Sequence, residues 1–319
     1  MMGKGTLISK GSVQKQVNAW RIRMKNGLRL IVAIVAVMTM VWWLNVPFLD
    51  SQTNDEPVIV TSDPILEDAI IQLLGPEPRV VGLLDRGQVL DNLPPLSDEK
   101  IAALKVADLV VWHGQGIDHY RSEANAYLNP EANVITIGEI MAKYEKKWPK
   151  YYWMSPISWG KMLHYLHRQL AVFLPKYQYE LAIRKNAYMN DVYALHQTIK
   201  ATLNVPELRT KTVVTNHPSL QLLASTYGVL VRTVAPNELI NGPAMNALIA
   251  SLKNEKLNLI IPNDSVSRDG LDAIVSESLK QGWPITVGKP VMSLNLSDET
   301  HGANTYIAMM ELNAKGIVQ

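Results

Sequence analysis

From residue 58 onward, short runs of consecutive apolar residues alternate with stretches whose apolar positions recur every three to four residues. The first kind is the signature of strands buried on both faces, the second of amphipathic helices. The pattern predicts a strand over 58–61 and a helix over 65–74 that Gly75 and Pro76 stop. A strand over 79–84 follows, then a helix over 97–106 with Asp98 and Glu99 well placed in its first turn. Residues 109–112 (LVVW) and 134–137 (VITI) read as further strands. Between 155 and 203 the helical spacing is sustained through Met162, Leu166, Leu170, Leu181, Tyr188, Val192, Leu195 and Ile199. As one rod, about 45 such residues would reach roughly 65 Å, with Pro175 expected to kink or interrupt it. The alternation then resumes, with strands over 212–215, 229–234, 257–261 and 285–287 and helices over 220–227, 244–252, 271–280 and 305–314. Continuous apolar strands separated by helices imply parallel sheets covered on both faces. The expected fold is therefore α/β, with two lobes of mainly parallel sheet (58–154 and 204–319) joined by one long backbone helix over 155–203. No short-period repeat is apparent.

The segment before these lobes differs. Leu30 to Phe48 (LIVAIVAVMTMVWWLNVPF) has only Thr39 and Asn45 as strongly polar side chains, and its length of about 19 residues approaches a bilayer crossing. Trp42 and Trp43 stand near its far end, as expected at a membrane–water boundary. The rival, a cleaved signal peptide, would have a shorter apolar run and a small-residue cleavage site, which Val-Pro-Phe-Leu-Asp-Ser does not supply. The expectation is a single transmembrane helix over 30–49, after a cytoplasmic basic segment over 1–29 and before a polar linker over 50–57. The folded part would then lie outside the plasma (inner) membrane, in the periplasm or extracellular space, tied to the lipid bilayer through residues 30–49.

Charge supports that division. The chain has 319 residues, with 31 Lys and Arg against 29 Asp and Glu. Seven of the cations (Lys4, Lys10, Lys15, Arg21, Arg23, Lys25 and Arg29) precede residue 50 and no acid does, which leaves 24 basic against 29 acidic residues, a net of −5, in the remainder. The basic excess belongs to the N-terminal segment, orients it toward the cytoplasm, and gives no reason to expect nucleic-acid binding. With no cysteine, a disulfide framework, a thiolate metal site, a thiol nucleophile and a lipidated N-terminal Cys are excluded.

Several stretches, taken in order, carry a resemblance: Val58-Ile-Val-Thr-Ser62, Ala107-Asp-Leu-Val110 leading into His113-Gly-Gln-Gly-Ile-Asp118, Trp153-Met-Ser-Pro156, Val213-Val-Thr-Asn-His217 with Tyr227-Gly228, and Gly302-Ala-Asn-Thr-Tyr306 with Met309 and Asn313. Their order and spacing resemble the zinc/manganese-type substrate-binding proteins of ABC importers over about 58–318. The resemblance implies a divalent cation held between the lobes by two His of the first lobe, then a His or Glu and an Asp of the second. Transferred by position, the first ligand falls in Gln88-Val-Leu-Asp91, where Asp91 is the one potential donor, and the second falls on Tyr151. The third falls on His217. The terminal Asp falls near 293–295, occupied by Ser293, Leu294 and Asn295, with Asp298 and His301 a few residues downstream. The candidate metal residues are thus His217, Asp91, Tyr151, Asp298 and His301. Zinc prefers four ligands from His, Cys and carboxylate, so this set is poor for zinc, and its oxygen-rich character leans toward manganese, with iron a lesser choice.

Other features have plainer readings. Asp264 is expected to cap the helix that follows it. His113 replaces an Asn of the family pattern in a tight turn, and HGQGIDH lacks the third glycine of a dinucleotide loop. His164 and His167 share a helical face, and Lys143, Lys146, Lys147 and Lys150 form a solvated stretch. Asn295-Leu-Ser297 is a glycosylation sequon. No hydrolase, metalloprotease, Walker A or kinase motif occurs, so an enzyme is not expected. The reading is a membrane-anchored, extracytoplasmic solute-binding protein that delivers a zinc or manganese ion to an ABC permease. The alternative is an accessory or ligand-binding subunit with the same fold that has lost tight metal binding.

Overall fold

The computed structural model describes Met24 and residues 56–88, 90, 93–210, 212–234, 242–266 and 268–318. The expected transmembrane helix and Asp91 lie outside the described residues. Among those residues no helix is long and apolar enough to cross a membrane.

The first lobe opens on β1 (Val58–Thr61), which is followed by α1 (Pro64–Leu74). Asp63 starts that helix: its Oδ1 accepts the Ile65 and Leu66 amides at 3.0 Å each, and Pro64 supplies a first-turn residue whose missing N–H costs nothing there. Next come β2 (Arg79–Gly82), α2 (Asp98–Lys105), β3 (Leu109–Trp112), the one-turn α3 (Arg121–Ala124), β4 (Asn133–Thr136) and α4 (Ile137–Ala142). The four strands form one parallel sheet in the order β2-β1-β3-β4.

A one-turn 3-10 helix, Tyr152–Met154, leads into α5 (Pro156–Phe173), and a second, Pro175–Tyr177, leads into α6 (Gln178–Thr202). The expected single rod over 155–203 is corrected here. Trp159 of α5 donates to the Tyr188 hydroxyl of α6 at 3.2 Å, and Gly160 faces Met189, so the two helices are folded back on each other as an antiparallel hairpin. Proline at 175 has no amide for a helical bond and crowds the preceding turn, so the chain reverses rather than bends. The long helix of the fold is α6 alone, whose 25 residues extend about 37 Å.

The second lobe contains the short α7 (Pro206–Thr210), β5 (Thr212–Thr215), α8 (Leu220–Tyr227), β6 (Leu230–Thr233), α9 (Gly242–Asn254), β7 (Leu259–Ile261), α10 (Asp269–Lys280), β8 (Thr286–Val287) and α11 (Tyr306–Val318). Its sheet is also parallel, in the equivalent order β6-β5-β7-β8. Period-2 alternation decides which core each strand residue joins. Ile59 and Val213 face a central core shared by both lobes and by the hairpin, whereas Val60 and Val214 face separate outer cores under α2 and under α9 and α10. In the central core Trp159 stacks on Tyr306 with ring centroids 4.3 Å apart, and α6 packs against both α1 and α11. Burying this apolar surface is the main driving force for holding the lobes together.

Candidate functional site

Loops at the C-terminal ends of the two sheets meet, which is where open parallel sheets form ligand crevices. Backbone bonds close the junction: Gly87 N donates to Leu296 O at 2.8 Å and Leu90 N to Ser265 O at 3.1 Å. The indole of Trp153 donates to Ser293 O at 2.6 Å.

On the first-lobe side, His113 follows β3 and is fully buried. Its Nε2 lies 2.6 Å from Asp63 Oδ2 and its Nδ1 lies 2.8 Å from the Tyr152 hydroxyl. Asp63 thus spends one oxygen on the cap of α1 and the other on His113. Burial with nearby Asp63 and Asp118 pushes the Tyr152 phenol well above its usual range, so it stays protonated. The His113 ring also packs against Trp153, with centroids 4.3 Å apart. With both nitrogens engaged inside the core, His113 supports the 151–154 turn.

That turn delivers Tyr151, whose backbone is left-handed (φ 80°, ψ 43°), an uncommon conformation for a bulky residue. Its ring meets His217 edge-on, with centroids 5.2 Å apart. Burial raises the Tyr151 pKa, so the group facing His217 is a neutral phenol. On the second-lobe side, His217 Nδ1 lies 2.9 Å from Ser219 Oγ and 3.3 Å from the Ser219 amide. Ser219 Oγ is 2.5 Å from Ser293 Oγ, and the Asn263 amide donates to both hydroxyls. Buried hydroxyl and amide groups therefore surround His217, and the polar demand of each is met by the others.

The structure brings His217 and Tyr151 into ring contact. Asp298 caps the one-turn 3-10 helix Glu299–His301, and it pairs at 2.6 Å with His301 at the end of that turn, both side chains exposed. Hydrogen bonds from Thr300 and His301 hold the Asp298 carboxyl at a pKa of about 2. Among the described residues, no three His, Asp or Glu side chains are grouped so as to hold a metal ion. Asp264 does not cap α10, whose N-cap is Arg268. Asn295, the acceptor of the sequon, is buried and donates to the carbonyls of Asp85 at 2.8 Å and Gln88 at 3.2 Å, which ties the lobes together and leaves no room for a glycan.

Sequence reasoning missed the Asp63–His113–Tyr152 and Ser219–Ser293–Asn263 networks. The first had a local signal in Ser62-Asp63-Pro64, an N-cap followed by proline. The second had none, because its members are 30 or more residues apart in the chain.

Comparison with known proteins converges on one group. The family model for ZnuA, described as zinc-uptake complex component A, periplasmic, matches residues 59–319. The zinc-binding protein TroA of Treponema pallidum (strain Nichols) is 20% identical over 278 residues, covering 84% of this chain and 90% of the relative. The manganese-binding lipoprotein MntA of Bacillus subtilis (strain 168) is 21% identical over 267 residues, covering 80% and 86%. The solved structure of periplasmic zinc-binding TroA superposes with a TM-score of 0.73 at 19% identity, over 83% of this chain and 98% of that one. The fold is the same.

Proposed function

This chain belongs to the family of zinc-uptake complex component A, and from that premise we propose that it is the extracytoplasmic substrate-binding component of a metal-type ABC importer. It captures a divalent cation between the lobes at His217 and presents it to a membrane permease. The observation that carries the reading is His217 itself, half-buried at the end of β5 in the crevice and facing Tyr151 across the lobe junction. Asp91, which lies outside the described residues, is the carboxylate donor in this reading, on the strength of its position in the sequence. The apolar run 30–49 tethers the protein to the membrane. One imidazole, one carboxylate and neutral oxygen donors favour a harder ion such as manganese, held more weakly than in a four-ligand zinc site.

Calorimetric titration of the chelator-treated full-length chain in detergent with manganese and zinc tests this. Manganese should bind, and His217→Ala should remove at least nine-tenths of the affinity. Binding of neither ion would reject capture.

A second reading, an accessory subunit that retains the fold without tight metal binding, is favoured by one specific observation. Ser293, in the segment where the resemblance puts the closing Asp, is locked by Ser219 and Asn263. A permease that co-purifies equally with wild type and His217→Ala, with no heat from either ion, would support it.

A further inference from the structure

A cavity of about 630 Å³ lies outside the crevice, between the Arg86-Gly87 turn that follows β2 and the second lobe. Its wall includes Asp264, Met292 and Leu312, with Lys289 contributed by the segment after β8 and Lys315 by α11. Most of its charged groups are already matched. Arg86 donates to Asn304 O at 2.6 Å and lies 3.6 Å from Glu67, Lys315 lies 3.8 Å from Glu311, and Asp298 holds His301.

Asp264 is different. It is largely withdrawn from solvent, its side-chain partner is the Ser265 hydroxyl at 3.0 Å, and no described cation forms an ion pair with it. Burial pushes its carboxyl up to about 6, only partly offset by hydrogen bonds from Ser265. A carboxylate held away from water without a counter-charge is costly, and a cation delivered into the cavity would remove that cost. A bare metal ion fits poorly, since no three His, Asp or Glu among the described residues converge there and two lysines line the same wall. Those lysines suit a carboxylate at the other end of the same ligand. The volume falls within the range of small-molecule sites, and a sphere of that size is roughly 10 Å across, the span of one short zwitterion between two side-chain charges.

We propose that this cavity binds a small zwitterion of the amino-acid class, with its ammonium against Asp264 and its carboxylate toward Lys289 and Lys315. The site is separate from the His217 crevice, so binding there does not depend on capture of a cation.

The test is isothermal titration of the full-length chain near neutral pH with glycine, β-alanine and γ-aminobutyrate, which carry the same charges at increasing separation. Methylammonium and acetate serve as single-charge probes. At least one zwitterion should bind, more tightly than either single ion. Asp264→Asn should weaken it at least tenfold and Lys315→Gln by several fold, in proteins whose circular dichroism matches wild type. The proposal is overturned if no member of the series binds at millimolar concentration. It is equally overturned if the zwitterions do no better than methylammonium or acetate, or if Asp264→Asn binds as wild type does.

Discussion

The two lobes place different chemistry on one topology. Thr61 pairs with Val111 in the first sheet and Thr215 with Ile261 in the second, so the strand ends can be matched residue by residue. Thr-Ser-Asp-Pro (61–64) then corresponds to Thr-Asn-His-Pro (215–218), and His113 corresponds to Asn263. In the first lobe the carboxylate of Asp63 and the imidazole of His113 bond each other inside the core. In the second, the histidine takes the place of the carboxylate, Asn263 takes the place of the histidine, and the ring of His217 is left at the lobe junction. One arrangement locks its titratable groups together inside the core, and the other sets a histidine ring against Tyr151 at the lobe junction. The difference lies in side chains at equivalent backbone positions, which is how one fold carries different functions.

The comparison is most exposed to failure at His113. Replacing it with Ala leaves Asp63 buried without its imidazole and should lower unfolding free energy by about 3–5 kcal/mol, read from the urea midpoint. Asn263→Ala, its counterpart, should cost only about 1–3 kcal/mol, because neutral hydroxyls are left behind rather than a carboxylate. Equal losses would mean the two networks are energetically alike.

A second contrast is Asp264, which matches Gly114 of the first lobe. At Gly114 (φ 78°) an added Cβ would come within 2.7 Å of Thr136 Cγ2, so no side chain fits, whereas Asp264 faces a cavity. The Asp264 pKa is raised in the fold, from 3.8 to about 6, so the folded state holds its proton more tightly than the unfolded chain. Its contribution to stability is full below about pH 4 and is lost as pH rises through about 6. Asp264→Asn should therefore stabilise the protein at pH 7 by about 1–3 kcal/mol and flatten that part of the pH–stability curve. An unchanged curve would show that Asp264 is not desolvated.

Tyr151→His sharpens the functional half of the comparison. Histidine tolerates left-handed backbone better than tyrosine, and a second imidazole beside His217 should raise zinc affinity at least tenfold, about 1.4 kcal/mol, by titration. No gain would place the binding geometry elsewhere. The smallest effect is expected from Asp298→Ala. Its carboxylate serves an exposed turn, so manganese affinity should be unchanged, and a clear loss would return the 298–301 turn to the binding site.

Much of the architecture was legible without coordinates. Seven of the eight strands begin within one residue of where consecutive apolar runs placed them, and the eighth, β7, begins two residues into its predicted run. Such runs can only be buried between two helical layers. The short helices over 121–124, 137–142 and 206–210 escaped because each is too brief to show a period. The hairpin escaped for another reason. Periodicity records that a segment is helical and which stripe is apolar, but both sides of Pro175 would look the same in a bent rod and in a reversal. Pairing Trp159 with Tyr188 decided it.

The site divides in the same way. His217 and Tyr151 could be named from local stretches of sequence because each sits in a recognisable motif at a strand end or before a helix. What surrounds them could not. The hydroxyls of Ser219 and Ser293 are 74 positions apart and meet only because β5 and the segment after β8 converge. Local order along the chain dictated the elements and the polarity of each face, since those depend on neighbours within a few residues. Whether a histidine is buried as a strut or left at a crevice depended on which distant groups reached its two nitrogens, and only folding brings those groups within hydrogen-bond range.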